Sequence, residues 1–124
     1  MTISDLAHGG ITHTRNGGGV VIRIWGEVDA ALRDDASAAM AAVLADPGPV
    51  VIDARDVTFI DSTGLAFILQ LHKHGSEESR EVVLRDPAPR LTELLELAAV
   101  GDLVRVERTP VPPTEQTSQS LSSR

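Results

Sequence analysis

Four short apolar runs alternate with stretches of helical period, and this alternation restricts the fold more than any other feature of the chain. The runs are Val20–Trp25, Val50–Ile52, Val82–Leu84 and Leu103–Val106. Between them lie segments whose apolar residues recur at three- and four-residue spacing, over 30–45, 63–74 and 89–98. Such alternation predicts α/β layering, with right-handed crossovers joining parallel strands. A weaker run, Ile11–Arg15, stands before a glycine-rich turn at Asn16-Gly17-Gly18-Gly19 and then Val20–Trp25. That pattern predicts an antiparallel hairpin at the amino end. The expected fold is therefore α/β, a mixed sheet with an N-terminal hairpin packed with about three helices.

Finer expectations follow from the residues themselves. In the second strand Val20, Ile22 and Ile24 share one face and Val21, Arg23 and Trp25 the other. Gly26-Glu27-Val28-Asp29 reads as the end of that strand, and Asp29 as the cap of the first helix. Leu32, Ala36, Ala39, Met40, Val43 and Leu44 form that helix's apolar face, and Pro47-Gly48-Pro49 ends it. Val50-Val51-Ile52 reads as a strand covered on both faces or nearly so. Asp53–Thr58 reads as a loop, with Phe59 and Ile60 turning back to the core. The second helix is expected over Thr63–His74, stopped by Gly75, with Leu65, Ile68, Leu69 and His72 inward. In the third, Leu91, Leu94, Leu95 and Ala98 face inward and Gly101 is the expected C-cap.

The domain division is a flexible lead-in over 1–10, a folded domain over 11–108 and a Pro/Ser/Thr/Gln-rich tail over 109–124. Such a tail has too little apolar surface to offset its ordering entropy. The chain has 124 residues, the size of one domain with one core. Aromatics are 2% of residues, so the core is aliphatic and a base-stacking surface for single-stranded nucleic acid is not expected. A net charge of −7 likewise speaks against direct nucleic-acid binding and suits a partner with a basic patch. With no cysteine, thiolate metal sites and a Cys nucleophile are excluded. Met1–Gly10 has no apolar run resembling a secretory signal, and no stretch is long enough to span a bilayer. No membrane association is expected, and cytoplasm is the expected compartment.

The chemistry-bearing segment is Asp61-Ser62-Thr63-Gly64 at the start of the second helix. A serine there is ordinarily an N-cap. Gly64 in the first turn costs up to about 1 kcal/mol relative to alanine. Its presence is read as room for a neighbouring backbone or for a partner's active site.

The run Val50 to Leu65, VVIDARDVTFIDSTGL, resembles the signature of the STAS family. The resemblance extends upstream to Gly26-Glu27-Val28-Asp29 and covers roughly Ile11–Val106. Ala66 stands where the family often has glycine, and Ala98-Ala99-Val100-Gly101 replaces a frequent Ser-Gly-Leu ending. Within the family, the bacterial anti-sigma-factor antagonist branch fits a solitary domain with this motif. That resemblance implies binding to an anti-sigma factor that is also a serine kinase, release of the sigma factor, ATP-dependent phosphorylation of Ser62 and reversal by a phosphatase. It implies contacts from Glu27, Asp29, Asp61, Ser62, Thr63, Gly64 and Leu65, with Thr63 the less favoured acceptor. The protein is then a binding module rather than an enzyme, with no cofactor and no metal. The alternative within the family is a non-catalytic subunit of a stress-sensing or lipid-transport complex. An aspartic-protease-like hydrolase is disfavoured, since one residue too many separates Asp61 from Gly64. A metal site at His72 and His74 is disfavoured because that spacing puts them on different helix faces.

Overall fold

The computed structural model describes residues 8–15 and 17–110. The strands are β1 (Gly9–Arg15), β2 (Val20–Val28), β3 (Val50–Ile60), β4 (Val82–Arg85) and β5 (Val106–Glu107). The helices are α1 (Arg33–Leu44), α2 (Ser62–Glu77) and α3 (Pro89–Leu97), with short 3-10 turns at Ala30–Leu32 and Gly101–Leu103. The strands form one sheet in sequence order, β1-β2-β3-β4-β5. β1 pairs antiparallel with β2, and the other neighbours are parallel. The mixed sheet, the amino-terminal hairpin and the three helices are as expected. β1 begins at Gly9 rather than Ile11. Asn16, most of the lead-in and the tail from 111 lie outside the described residues.

All three helices contribute to a single core. Ile22, Ile24, Ile52 and Leu84 from the sheet are fully buried against Ala39 and Val43 of α1, Ile68 and Leu71 of α2, and Leu91 of α3. The other sheet face carries a row Val21, Val51, Val83 and a charged row Arg23, Asp53, Arg85 in register. Val50 and Ile52 are buried and Val51 is partly buried, so the run is nearly covered on both faces. Ion pairs Arg23–Asp56 (3.0 Å), Arg55–Asp53 (3.3 Å) and Arg85–Glu107 (3.1 Å) satisfy that face. Trp25 packs over Gly10, with the Arg23 guanidinium 5.7 Å from its ring centre.

Several local expectations are corrected. β2 does not stop at Trp25 but continues to Val28. Asp53–Thr58 is no loop; β3 runs unbroken from Val50 to Ile60. Its pairing with β2 slips twice, between Arg23 and Trp25 and between Gly26 and Glu27, each slip adding one residue to β3. Burial therefore falls on Val50, Ile52, Ala54, Val57 and Ile60, a pattern that simple alternation does not reveal. The same slips turn Phe59 outward, 46% exposed, where a return to the core was expected. Leu44 is also exposed rather than part of the buried face of α1. The final strand is Val106–Glu107, and Leu103 belongs to the preceding 3-10 turn.

The helix ends explain two further differences. Gly75 does not stop α2; it lies buried within the helix, where a Cβ would stand 2.5 Å from Val82 Cγ2. Its role is close approach to β4. Ser79, at φ 54, ends the helix instead, with Arg80 N–H donating to Gly75 O at 2.8 Å. Likewise α3 ends before Gly101, and Ala98, expected inward, is exposed. Ala99 takes φ 57, while Ala99 N–H donates to Glu96 O at 3.1 Å and Val100 N–H to Leu95 O at 3.1 Å. This is a Schellman ending with alanine in the position that favours glycine. Ala99→Gly is expected to stabilise the protein by about 0.5 kcal/mol, the relief of left-handed strain outweighing added unfolded-state entropy. Urea denaturation of the two proteins measures it, and an unchanged or lowered midpoint contradicts it.

His72 packs partly buried on α2, with Nδ1 3.0 Å from Ile68 O and Nε2 buried without a hydrogen-bond partner. Burial pushes its pKa below the usual 6.5, against a weaker opposing pull from the Ile68 and Arg105 main chain. The native state thus resists a proton that the unfolded chain accepts. Stability from this site is complete above pH 6.5 and is lost as pH falls from there toward the lowered native value. The slope stays below the one-proton limit of about 1.4 kcal/mol per pH unit, since the ring is only partly buried and solvent screens it. Comparing unfolding of wild type and His72→Gln between pH 7 and 5 tests this: the substitution should flatten the profile, and parallel profiles would refute it.

Candidate functional site

The parallel ladder of β2 and β3 closes on the register pair Val28 and Ile60, and Asp61 N–H donates to Val28 O at 3.2 Å. The next residue on each strand is an aspartate in extended conformation, Asp29 at φ −144 and Asp61 at φ −108. Each then caps the helical segment that follows. Asp29 Oδ1 accepts from Ala31 N–H at 2.9 Å. Asp61 Oδ1 accepts from Thr63 N–H at 2.9 Å and Gly64 N–H at 3.1 Å. Two carboxylates thus stand side by side at the carboxyl ends of adjacent parallel strands, the edge where open α/β sheets commonly bind their ligands.

Capping by Asp61 changes the reading of Ser62. The serine is the first residue of α2, exposed, and the orphan amides that it would cap are already taken. Its hydroxyl has no task in holding the helix start. Gly64 is buried, and a Cβ there would lie 2.7 Å from Ile60 Cγ1 and 2.9 Å from both Val28 Cγ1 and Val28 O. Of the two alternatives the sequence offered, the glycine admits a neighbouring backbone, that of the chain's own β2, together with the Ile60 side chain of β3. Leu65 is buried as well, 8% exposed, so it supports the surface from beneath.

Of the residues expected at this surface, Glu27, Ser62 and Thr63 are exposed, and Asp29 and Asp61 are partly so. Phe59 joins them, directly opposite Glu27 in the β2–β3 register. Sequence reasoning missed it because the slips of β3 are invisible to alternation. Beside this edge runs a groove of about 480 Å³ between α1 and α2, with Arg33 and Thr63 at one end, Leu44 at the other and Met40 and Phe67 between. The sequence signal for it was the run of small residues Ala36, Ser37, Ala41 and Ala66 on the facing stripes.

The histidines do not converge. His72 faces Ile68 O, while His74 Nε2 accepts from Arg80 at 3.1 Å. Among the described residues no group of three His, Cys, Asp or Glu side chains is placed to hold a metal ion, and no helix is long and apolar enough to cross a membrane.

One mixed sheet with three helices, with paired aspartate caps at the ends of two parallel strands, defines a class of small α/β domains. The family model described as "Mlab, STAS domain" matches residues 11–105, and the chain belongs to the STAS family. A STAS-domain containing protein of Pseudomonas aeruginosa (strain UCBPP-PA14), PA14_20770, is 26% identical over 87 residues, covering 70% of this chain and 86% of that one. The anti-sigma factor antagonist SpoIIAA in its unphosphorylated form superposes with a TM-score of 0.67 at 16% identity, over 92% of this chain and 97% of that chain. The phosphorylated form of SpoIIAA, a Bacillus cell fate determinant, gives 0.64 at 16% identity over 89% and 98%. An anti-sigma factor antagonist from Mycobacterium paratuberculosis gives 0.61 at 25% identity over 87% and 91%.

Proposed function

We propose that this protein is an anti-sigma-factor antagonist of the bacterial cytoplasm. It binds an anti-sigma factor that is also a serine kinase, so that the sigma factor is released. ATP-dependent phosphorylation of Ser62 by that kinase ends the complex, and a phosphatase restores it. Binding, not catalysis, is the protein's own activity. The observation that carries this reading is the free, exposed Ser62 hydroxyl beside a cap supplied by Asp61. Likeness to a fold solved in both unphosphorylated and phosphorylated forms supports it. Glu27, Asp29, Phe59 and Thr63 surround the serine as contact residues in this reading, and the acidic members suit a basic partner surface.

A second reading is a non-catalytic STAS subunit of a larger stress-sensing or lipid-transport assembly. It is favoured by the description of the matching family model, which names Mlab rather than SpoIIAA. Affinity capture from the native lysate with immobilised wild type, Ser62→Ala and Ser62→Asp separates the two. Capture of an ATP-binding anti-sigma kinase by wild type and Ala but not Asp supports the antagonist. Equal capture of a membrane-transport or stress-complex component by all three favours the subunit.

A further inference from the structure

The chain has one tryptophan and two phenylalanines. Phe67 belongs to the core, whereas Trp25 and Phe59 lie on the sheet face turned away from it. Trp25 is the register partner of Asp56, and Glu27 that of Phe59, so the two rings stand one row apart on adjacent strands. Both are open to water, Phe59 by 46% and Trp25 in part. The carboxyl-terminal segment starts close by. Thr109 N–H donates to Asp86 Oδ1 at 2.7 Å and Thr109 Oγ1 to Asp86 Oδ2 at 2.6 Å. Arg55 NH2 donates to the same Oδ2 at 2.9 Å. One carboxylate therefore ties the exit of β5 to Arg55 on β3. Phe59 lies four residues beyond Arg55, about 13 Å along the strand. Pro110-Val111-Pro112-Pro113 follows the tie at once, and in the extended polyproline form that such a sequence favours it spans about 12 Å.

We propose that the chain's own Pro112-Pro113 segment folds back over this sheet face and seats its rings against Phe59 and Trp25. Proline-rich segments pack on aromatic side chains in this way because the pyrrolidine ring is apolar and the polyproline backbone is already extended, so little freedom is lost on docking. The tie at Asp86 aims the segment along β3 toward Phe59, and the tether holds it at an effective concentration in the millimolar range, well above that of a free competitor. From Thr114 onward the tail is almost wholly polar and takes no part. The docking does not require the antagonist reading. Its consequence does: Phe59 stands opposite Glu27 at the proposed partner surface, so a seated tail covers part of what the partner has to meet.

The test needs no partner, so its failure is distinct from failure of the antagonist reading. NMR spectra of the full chain are recorded at several protein concentrations, together with a full-length variant carrying Pro112→Ser and Pro113→Ser. The expected result is an upfield ring-current displacement of the Pro112 and Pro113 side-chain protons, with cross-relaxation to the Phe59 and Trp25 rings, unchanged on dilution. Trp25 is the only tryptophan, so its fluorescence reads the same face. Acrylamide should quench it about twofold more steeply in the double-serine protein, as befits a tethered contact that is occupied most of the time. Proline protons at their unperturbed positions, or equal quenching of the two proteins, overturn the proposal. A ring–proline contact that fades on dilution overturns it as well, because it assigns the occupant to the tail of a second copy.

Discussion

Arg80→Ala is expected to lower the unfolding free energy by about 3 kcal/mol, with the fold and the Ser62 surface otherwise intact. The guanidinium sits where three segments meet. Nε and NH2 both donate to Gly48 O, at 2.9 and 2.6 Å, and NH1 donates to Val43 O at 2.7 Å and to His74 Nε2 at 3.1 Å. Val43 O is one of the carbonyls at the end of α1 that its own helix cannot fully satisfy, and a cation there also meets the negative end of the helix dipole. Gly48 belongs to the turn before β3, whose other anchor is Asp46. That buried carboxylate accepts from Gly48 N–H at 2.8 Å and from Arg15 Nε at 3.1 Å. The Gly48 N–H first, and Arg15 with it, hold Asp46 below the usual carboxylate range. Removing Arg80 leaves partly buried acceptors without donors, which costs more than the loss of equally many exposed bonds. Arg80→Lys should recover less than half, because an ammonium cannot span Val43 O and Gly48 O as a planar fork does. Urea titrations of the three proteins measure this, and a loss under about 1 kcal/mol for the alanine variant would show that water replaces the guanidinium.

The legible part of this molecule is the part written in hydrophobic period. The inward set Val20, Ile22, Ile24, the amphipathic α2 and the β-branched runs produce the observed sheet order and layering directly. The placement of the candidate site was legible in part, since Asp29 reads as a cap at the end of one such run and Asp61-Ser62-Thr63-Gly64 as the start of a helix after another. Three kinds of information were not. Asp53, Arg55, Asp56 and Thr58 look like a polar loop because the two slips of β3 replace alternation by burial at every third residue. Gly75 and Gly101 look like helix stops, yet Ser79 and Ala99 adopt the left-handed conformation instead. What places Gly75 inside α2 is Val82, a residue seven positions away, and no local pattern carries that contact. Finally, Ser62 looks like a cap until Asp61 is seen to take both amides. That last difference is the one with consequences for function, because it separates the serine from the stability of its own helix.

Under the proposed antagonist function, Ser62→Asp is expected to leave folding unchanged while weakening partner binding about a hundredfold, or about 2.7 kcal/mol. The first half follows from position. Ser62 is exposed in the first turn of α2, where an added carboxylate meets the positive end of the dipole and costs the domain nothing. The second half follows from its neighbours. A charge at 62 stands beside the Asp61 carboxylate, with Glu27 and Asp29 at the adjoining strand end. The free amides that would otherwise receive it are bound already. In solution the charge is hydrated, but a partner closing over it must strip that water without offering a pairing made for a hydroxyl. Ser62→Asn separates charge from bulk, being nearly the same size as the aspartate and neutral. It should retain affinity within about fivefold, whereas Asp loses about a hundredfold, and added salt should narrow the gap between them. Calorimetric titration of each protein with the captured partner measures all three. Asp binding as tightly as wild type would remove the electrostatic basis of the switch. Equal losses for Asn and Asp would instead assign it to the fit of the hydroxyl, making the phosphate's volume rather than its charge the signal that the partner reads.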